Sequence, residues 1–225
     1  MRTIRNELFC LIFPRLCVLC NEALGENEEQ ICLQCLCKLP RTLFHRQDDN
    51  PLVWFFAGKI PILHATAFLY YRKKNAVSHL THTFKYRGNK QLAFQLGRLA
   101  ALEYTPCRQI DLLIPVPLHP KKEKKRGYNQ SEWICMGLAS VWNIPVRTDV
   151  LRRKTPTSTQ TGKLLHDRWR NMQNAFFTEN AEVLQGQHVL LVDDVVTSGS
   201  TLVACAEALV QIPGVRVSIF ALSIA

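Results

Sequence analysis

Two adjacent carboxylates followed by a run of hydroxyl residues carry the most specific chemistry in this chain. Val189-Leu-Leu-Val192 leads into Asp193-Asp194, then Val195-Val196, then Thr197-Ser-Gly-Ser-Thr201. The unbroken apolar run predicts a central parallel strand, buried on both faces and ending at the acidic pair. An Ala/Leu-rich helix is predicted from about Leu202 to Val210. Ligands of open α/β sheets bind beyond the carboxyl ends of the strands, so the acidic pair and the hydroxyl loop face the ligand. Backbone N–H groups around Gly199, the hydroxyls of Thr197, Ser198, Ser200 and Thr201, and the helix amino terminus make a phosphate cradle. Carboxylates repel phosphate, so Asp193 and Asp194 face hydroxyl donors or a cation. A ribose diol supplies such donors, with its 5′-phosphate in the loop.

Rival phosphate sites fail on specifics. There is no G-x-x-x-x-G-K-[ST] run and no G-x-G-x-x-G after a strand. A phospho-receiver domain also ends a strand in an acidic pair, but early in the domain and with a phosphoacceptor carboxylate on a later strand. Here no residue after Glu207 is acidic.

Most of the nine cysteines cluster near the amino terminus. Cys17-Val-Leu-Cys20 and Cys32-Leu-Gln-Cys35 form two C-x-x-C pairs with eleven residues between them, Gly25 among these. Each pair can grip one metal ion from a tight turn, and a hairpin brings the pairs together. Four thiolates at tetrahedral geometry suit zinc in a closed, structural site; an iron–sulfur centre is the alternative. Cys10 and Cys37 are expected outside the metal shell, although Cys37 could substitute in a loose site. Cys107, Cys135 and Cys205 stand alone and read as core residues.

The elements around these motifs follow from periodicity. A loop then a strand is expected over residues 40–71, and a helix from about Asn75 to Tyr86. In Phe84-Lys-Tyr-Arg-Gly88, Lys85 and Arg87 complement the helix dipole and Gly88 supplies the cap. Leu92, Leu96, Leu99 and Leu102 continue at helical spacing, and Ile110 to Ile114 forms a strand stopping at Pro115-Val-Pro117. Strand, loop and helix then alternate to the final residues, which predicts an α/β fold: a parallel sheet flanked by helices. The net charge of +10 favours polyanionic partners without choosing among phosphates, nucleic acid and an acidic membrane surface. Lys121-Lys-Glu-Lys-Lys-Arg126 concentrates that charge, read as a surface loop or as a contact to a nucleic-acid strand; Tyr128 and Trp133 could stack on bases, with core packing the plainer role for Trp133. The amino terminus is too charged and its apolar stretch too short for a secretory signal. Pro51 to Tyr71 is broken by Lys59, Pro61 and His64, so no membrane span is expected and the reading is cytoplasmic.

The stretch from Val189 to Thr201 resembles the signature of type I phosphoribosyltransferases at every position. Ile114-Pro-Val-Pro-Leu-His119 resembles the pyrophosphate-loop region of the amidophosphoribosyltransferase-like branch. Together with Arg126-Gly-Tyr-Asn-Gln130, the stretch from Arg153 through Thr159-Gln160 to Arg168, Asn171, Ala175-Phe176 and the cysteine knuckles, the pattern is similar to the ComF family of competence-associated proteins. The resemblance implies a type I phosphoribosyltransferase fold over residues 43–225 behind a small zinc-ribbon domain at residues 1–42. It implies 5-phosphoribosyl-1-pyrophosphate or a nucleotide as ligand. Asp193 and Asp194 would hold the ribose hydroxyls and serve catalysis. Thr197, Ser198, Gly199, Ser200 and Thr201 would bind the 5′-phosphate. Val116, Pro117, Leu118 and His119, assisted by Arg126, would lie beside the pyrophosphate. The segment from Arg152 to Arg168, with Arg153, Thr159, Gln160 and Arg168, would be a mobile cover. Zinc on Cys17, Cys20, Cys32 and Cys35 and magnesium with the pyrophosphate are the implied metals. The implied activity is a glycosyltransferase step releasing pyrophosphate, in the service of DNA uptake; single-stranded DNA and a competence-machinery protein are the implied macromolecular partners. The alternative is a DNA-binding or regulatory protein using the same fold without transfer. No glutaminase domain and no apolar base pocket are found in the sequence, which leaves the acceptor nucleophile open.

Overall fold

The computed structural model describes residues 14–106, 109–154 and 175–225. Its centre is a parallel sheet of order β1-β6-β5-β2, made of β1 (His64–Tyr70), β2 (Leu112–Pro115), β5 (His188–Val196) and β6 (Arg216–Ile224). Beyond β2, Val146 continues the sheet by a single parallel bridge to Leu113. A separate antiparallel pair joins β3 (Leu151–Arg153) to β4 (Phe176–Thr178).

Strand alternation divides the interior into two cores. Leu190 and Val192 of β5 and Phe220 and Leu222 of β6 face one side; Val189, Leu191, Ile219 and Ala221 face the other. Helices cover both faces, so the central strands read as continuous hydrophobic runs. The first core is closed by α3 (Ala76–Tyr86), α4 (Lys90–Glu103) and α6 (Gln130–Trp142), the second by α2 (Pro51–Phe56) and α7 (Ser200–Leu209). Four of these helices start on an asparagine whose side chain accepts from the first turn: Asn50 for α2, Asn75 for α3, Asn89 for α4 and Asn129 for α6.

Helices α4 and α6 touch backbone to backbone. A Cβ on Gly97 would stand 2.3 Å from the carbonyl oxygen of Ile134, and one on Gly137 would stand 2.1 Å from that of Phe94. Only glycine allows that approach.

The cysteine knuckles join the first core. Cys17, Ile31, Cys32 and Leu39 pack in the same cluster as Val77, Leu92 and Leu96. Arg41 then ties the segment down with two hydrogen bonds to the carboxylate of Glu103 at the end of α4. The short helix α1 (Leu33–Cys37) carries the second cysteine pair.

Several expectations need correcting. The central strand runs through Asp193 and Asp194 to Val196 instead of ending at them, because β6 pairs with it as far as Ile224. Helix α7 starts at Ser200, two residues early. Residues 51–56 form a helix, started by Asn50 and Pro51, where a loop was expected. Leu102 is 61% exposed; the buried face of α4 is Leu92, Ala93, Leu96, Gly97, Ala100 and Ala101. The lysine run forms a helix, α5 (Pro120–Arg126), begun by Pro120 and closed by Gly127 at φ +80°. Arg152 and Arg153 lie in a strand, held by pairing with Phe177 and Phe176. Among the described residues no helix is long and apolar enough to cross a membrane.

Candidate functional site

The sheet is parallel, so the carboxyl ends of β2 and β5 lie on one edge, and the candidate residues gather there. Val116 N–H donates to the carbonyl of Val192, carrying the β2–β5 pairing past Pro115 and setting Val116 to His119 beside the acidic pair. Asn129 locks this arrangement from below. Its Nδ2 donates to the Val116 carbonyl at 3.0 Å, while its Oδ1 accepts from Ser131 N–H at 3.2 Å and so starts α6. One buried side chain thus couples the 116–119 loop to α6. His119 in turn caps α5 through Nδ1, and burial, with the charges of Arg153, Lys121 and Lys122, lowers its pKa, which favours the neutral ring.

The two carboxylates differ in surroundings. Asp193 Oδ1 accepts from the Asp194 backbone N–H at 2.8 Å and from Ser131 Oγ–H at 3.2 Å. Burial of its carboxyl and the charge of Asp194 raise its pKa to about 7 against the opposing pull of those donors and Lys85. Asp194 lies on the same face of β5 as Leu190 and Val192 by strand alternation. There Lys85, from the last turn of α3, reaches it with Nζ 2.7 Å from Oδ2, both side chains mostly buried. At neutral pH the pair is therefore one carboxylate with a fixed counter-cation beside one that readily carries a proton. Such a pair accepts hydroxyl donors without the full repulsion of two bare charges.

The loop after β5 turns at Gly199, whose φ of +68° disfavours any side chain. A Cβ there would also strike the ring of Phe55 at 2.4 Å, so α2 packs directly on the loop. Thr197 and Ser198 are exposed, and the hydroxyls of Ser198 and Ser200 hydrogen-bond at 2.8 Å. No side chain caps α7, in contrast to the asparagine-capped helices. Its first N–H groups and the positive end of its dipole therefore have no side-chain acceptor among the described residues, an arrangement that suits an anion.

The remaining expected residues divide. Arg126 donates to Gln130 at 2.7 Å and lies over the Tyr86 ring, its guanidinium carbon 5.3 Å from the ring centre. Arg153 stacks on Phe176. Thr159, Gln160, Arg168 and Asn171 fall outside the described residues, as do Cys10 and Cys107. Tyr128 hydrogen-bonds the Phe84 carbonyl, and burial pushes its hydroxyl up to about 12. Trp133 is partly buried under Lys90 and against Tyr128, so neither ring is a free stacking platform. Sequence reasoning missed Ser131 and Phe55 and gave Lys85 only a capping role; the signal for Lys85 was its place in Phe84-Lys-Tyr-Arg-Gly88.

The ligand atoms of Cys17, Cys20, Cys32 and Cys35 lie within 4.8 Å of one another. The Cys20 and Cys32 sulfurs are 3.7 Å apart, close to the spacing of about 3.8 Å that Zn–S bonds of ~2.3 Å give a tetrahedron. Burial opposes ionisation of Cys17, yet backbone N–H donors of Cys32, Cys20 and Leu19 bring its pKa down to about 6. Burial and the neighbouring thiols push Cys35 up to about 12. Such a set cannot ionise together without a cation among its members. Cys37 is exposed and outside the group, while Cys135 and Cys205 are fully buried core residues, as expected.

The phosphoribosyl transferase domain family matches residues 136–224, which hold the acidic pair and the hydroxyl loop. The chain carries a phosphoribosyl transferase domain. It is 32% identical over 152 residues to the DNA utilization protein YhgH of Escherichia coli K12, covering 65% of this chain and 66% of that protein. It is 32% identical over 133 residues to competence protein F of Haemophilus influenzae, covering 56% and 58%. Competence protein ComFC of Bacillus subtilis is 23% identical over 235 residues, covering 92% and 93%. The chain thus spans just under two thirds of the YhgH proteins it matches. Among solved structures, the glutamine phosphoribosylpyrophosphate amidotransferase from B. subtilis aligns with 62% of this chain and 30% of its own, at 18% identity and a TM-score of 0.43. This phosphoribosyl transferase-domain protein is therefore homologous to the competence F and ComFC proteins, with a four-cysteine cluster at its amino-terminal end.

Proposed function

We propose that the carboxyl edge of the sheet binds 5-phosphoribosyl-1-pyrophosphate. The observation that carries this reading is the uncapped start of α7 at Gly199 beside the partly buried acidic pair: an anion seat next to acceptors for a diol. The 5′-phosphate takes the N–H groups and hydroxyls of residues 197–201. The ribose hydroxyls donate to Asp193 and Asp194, and the pyrophosphate lies along Val116 to His119 with Arg126. Magnesium would supply counter-charge for a departing pyrophosphate at Val116 to His119. With Asp194 already paired to Lys85 and Asp193 easily protonated, neither carboxylate would offer that cation a bare charge. The reaction proposed is displacement of pyrophosphate from C1 by a nucleophile, with Asp193 in its deprotonated form stabilising positive charge on the ring while Asp194 stays paired to Lys85. Zinc on the four cysteines and a ribbon boundary near residue 42 belong to the same reading, as does work in DNA uptake, which the names of YhgH and competence protein F support.

Calorimetric titration of the full chain with phosphoribosyl pyrophosphate and magnesium tests it. Heat of binding in the wild type that disappears in Asp193→Asn/Asp194→Asn is the expected result; no heat in the wild type overturns the reading. Pyrophosphate release then separates transfer from binding alone. The second reading is a nucleic-acid handler without transfer. It draws on the cations of α5, which form no ion pair among the described residues. Steep loss of single-stranded DNA binding with salt, removed when Lys121, Lys122, Lys124 and Lys125 become Ala, is its mark.

A further inference from the structure

A cleft of about 420 Å³ opens beside the acidic pair, lined by Lys85, Tyr86 and Gly88 at the end of α3 and by Lys122, Lys125 and Arg126 on α5. Among the described residues no carboxylate lines it, and none of Val116 to His119 reaches it. The last turns of α3 and α5 border it, and the carboxyl end of a helix carries up to about half a negative charge. Four cations stand against that sum, one of them already offset by Asp194. Among the described residues the balance is roughly two positive charges not offset by a carboxylate, the charge of one phosphate monoester or two phosphodiesters. Lys85 belongs to both places: its Nζ touches Asp194 and its side chain walls the cleft. An anion held here is thus the immediate neighbour of a ribose on the acidic pair.

We infer that this cleft is a second phosphate subsite, seating a phosphate carried by the acceptor in the reaction proposed above. The acceptor is accordingly a nucleotide, free or at the end of a nucleic-acid strand, instead of an uncharged base. The inference rests on the phosphoribosyl reading for the word acceptor; the anion seat rests on the cleft itself. Arg126 borders both this cleft and the proposed pyrophosphate place, but the 116–119 loop lies outside the cleft, so a pyrophosphate on that loop leaves Lys122 and Lys125 to a second phosphate.

The lysines of α5 provide an internal control. Lys122 and Lys125 line the cleft, whereas Lys121 and Lys124, on the same helix, do not. Binding of a nucleoside 5′-monophosphate and of a short single-stranded oligonucleotide is measured on the full chain, with saturating ribose 5-phosphate present and pyrophosphate titrated in afterwards. Lys122→Gln/Lys125→Gln should weaken the bound probe by about tenfold or more, through loss of two charge-assisted contacts. Lys121→Gln/Lys124→Gln, an equal change of charge, should leave affinity within about threefold. A mononucleotide that binds as well as the oligonucleotide identifies a free acceptor; binding of the oligonucleotide alone identifies a strand. Equal losses in the two variants, absence of binding by either probe, or displacement of the probe by pyrophosphate would overturn the inference. Failure of ribose 5-phosphate to bind the wild type would sink the phosphoribosyl reading instead, and the contrast between the lysine pairs would still judge the cleft.

Discussion

Asp193 is held where a carboxylate is uncomfortable, and that has a measurable cost. Its pKa is raised to about 7 by burial and by Asp194, so the native state keeps a proton that the unfolded chain releases near pH 4. A raised carboxyl pKa makes stability fall as pH rises from about 4 to 7, with the full loss present above that range. Asp193→Asn should therefore raise stability at pH 8 by on the order of 1–2 kcal/mol, have little effect at pH 4, and abolish phosphoribosyl binding. Denaturant unfolding at both pH values, with ligand titration alongside, checks the three parts; destabilisation at pH 8 would contradict the assigned strain. The acidic pair and the hydroxyl loop were legible in sequence because they are contiguous and their chemistry is local. Lys85 and Ser131 were not, since each acquires its role only when α3 and α6 pack against β5 from distant parts of the chain. A lysine in a last helical turn already has a sufficient reason in the dipole, which conceals a second one.

At the scale of elements, the helix pair α4–α6 fixes the geometry of the acidic edge. Helix α6 begins with Asn129 and Ser131, which hold the 116–119 loop and Asp193, and its depth is set by the glycine contact with α4. Gly137→Ala places a methyl 2.1 Å from the Phe94 carbonyl and 2.7 Å from the Arg98 nitrogen, so the helices must part. The expected destabilisation is roughly 2–4 kcal/mol, with weakened ligand binding although residue 137 is remote from the ligand. Gly88→Ala faces open space and should cost only about 1 kcal/mol, through its φ of +70°. Thermal unfolding of both variants checks the order. Helix α3 was legible to within a residue from its asparagine start and glycine stop. Helices α2 and α5 were missed because one is a single apolar turn or two and the other is almost wholly charged, so neither shows a period.

The whole molecule is tied together at both ends. Because Cys17 and Cys32 share a core with α3 and α4, chelation should lower the melting temperature of the entire chain in one transition, with about one zinc released per chain. Melting followed in the presence and absence of chelator, with metal analysis, decides this; an unchanged transition would mean a knuckle independent of the rest. The parallel sheet and its helices were legible from strand–helix alternation, but the strand order was not, since alternation does not say which strands are neighbours. That order has a consequence for synthesis. Strand β6, at residues 216–224, lies between β1 and β5, so before β6 is made β1 is paired only by the short antiparallel segment at residues 40–42 along its other side. The early segments must wait, with one edge of β1 unpaired, for a partner that lies about 150 residues further along the chain. Chains stalled before residue 216 should accordingly be protease-sensitive along their length, and release of the final strand should protect them all at once.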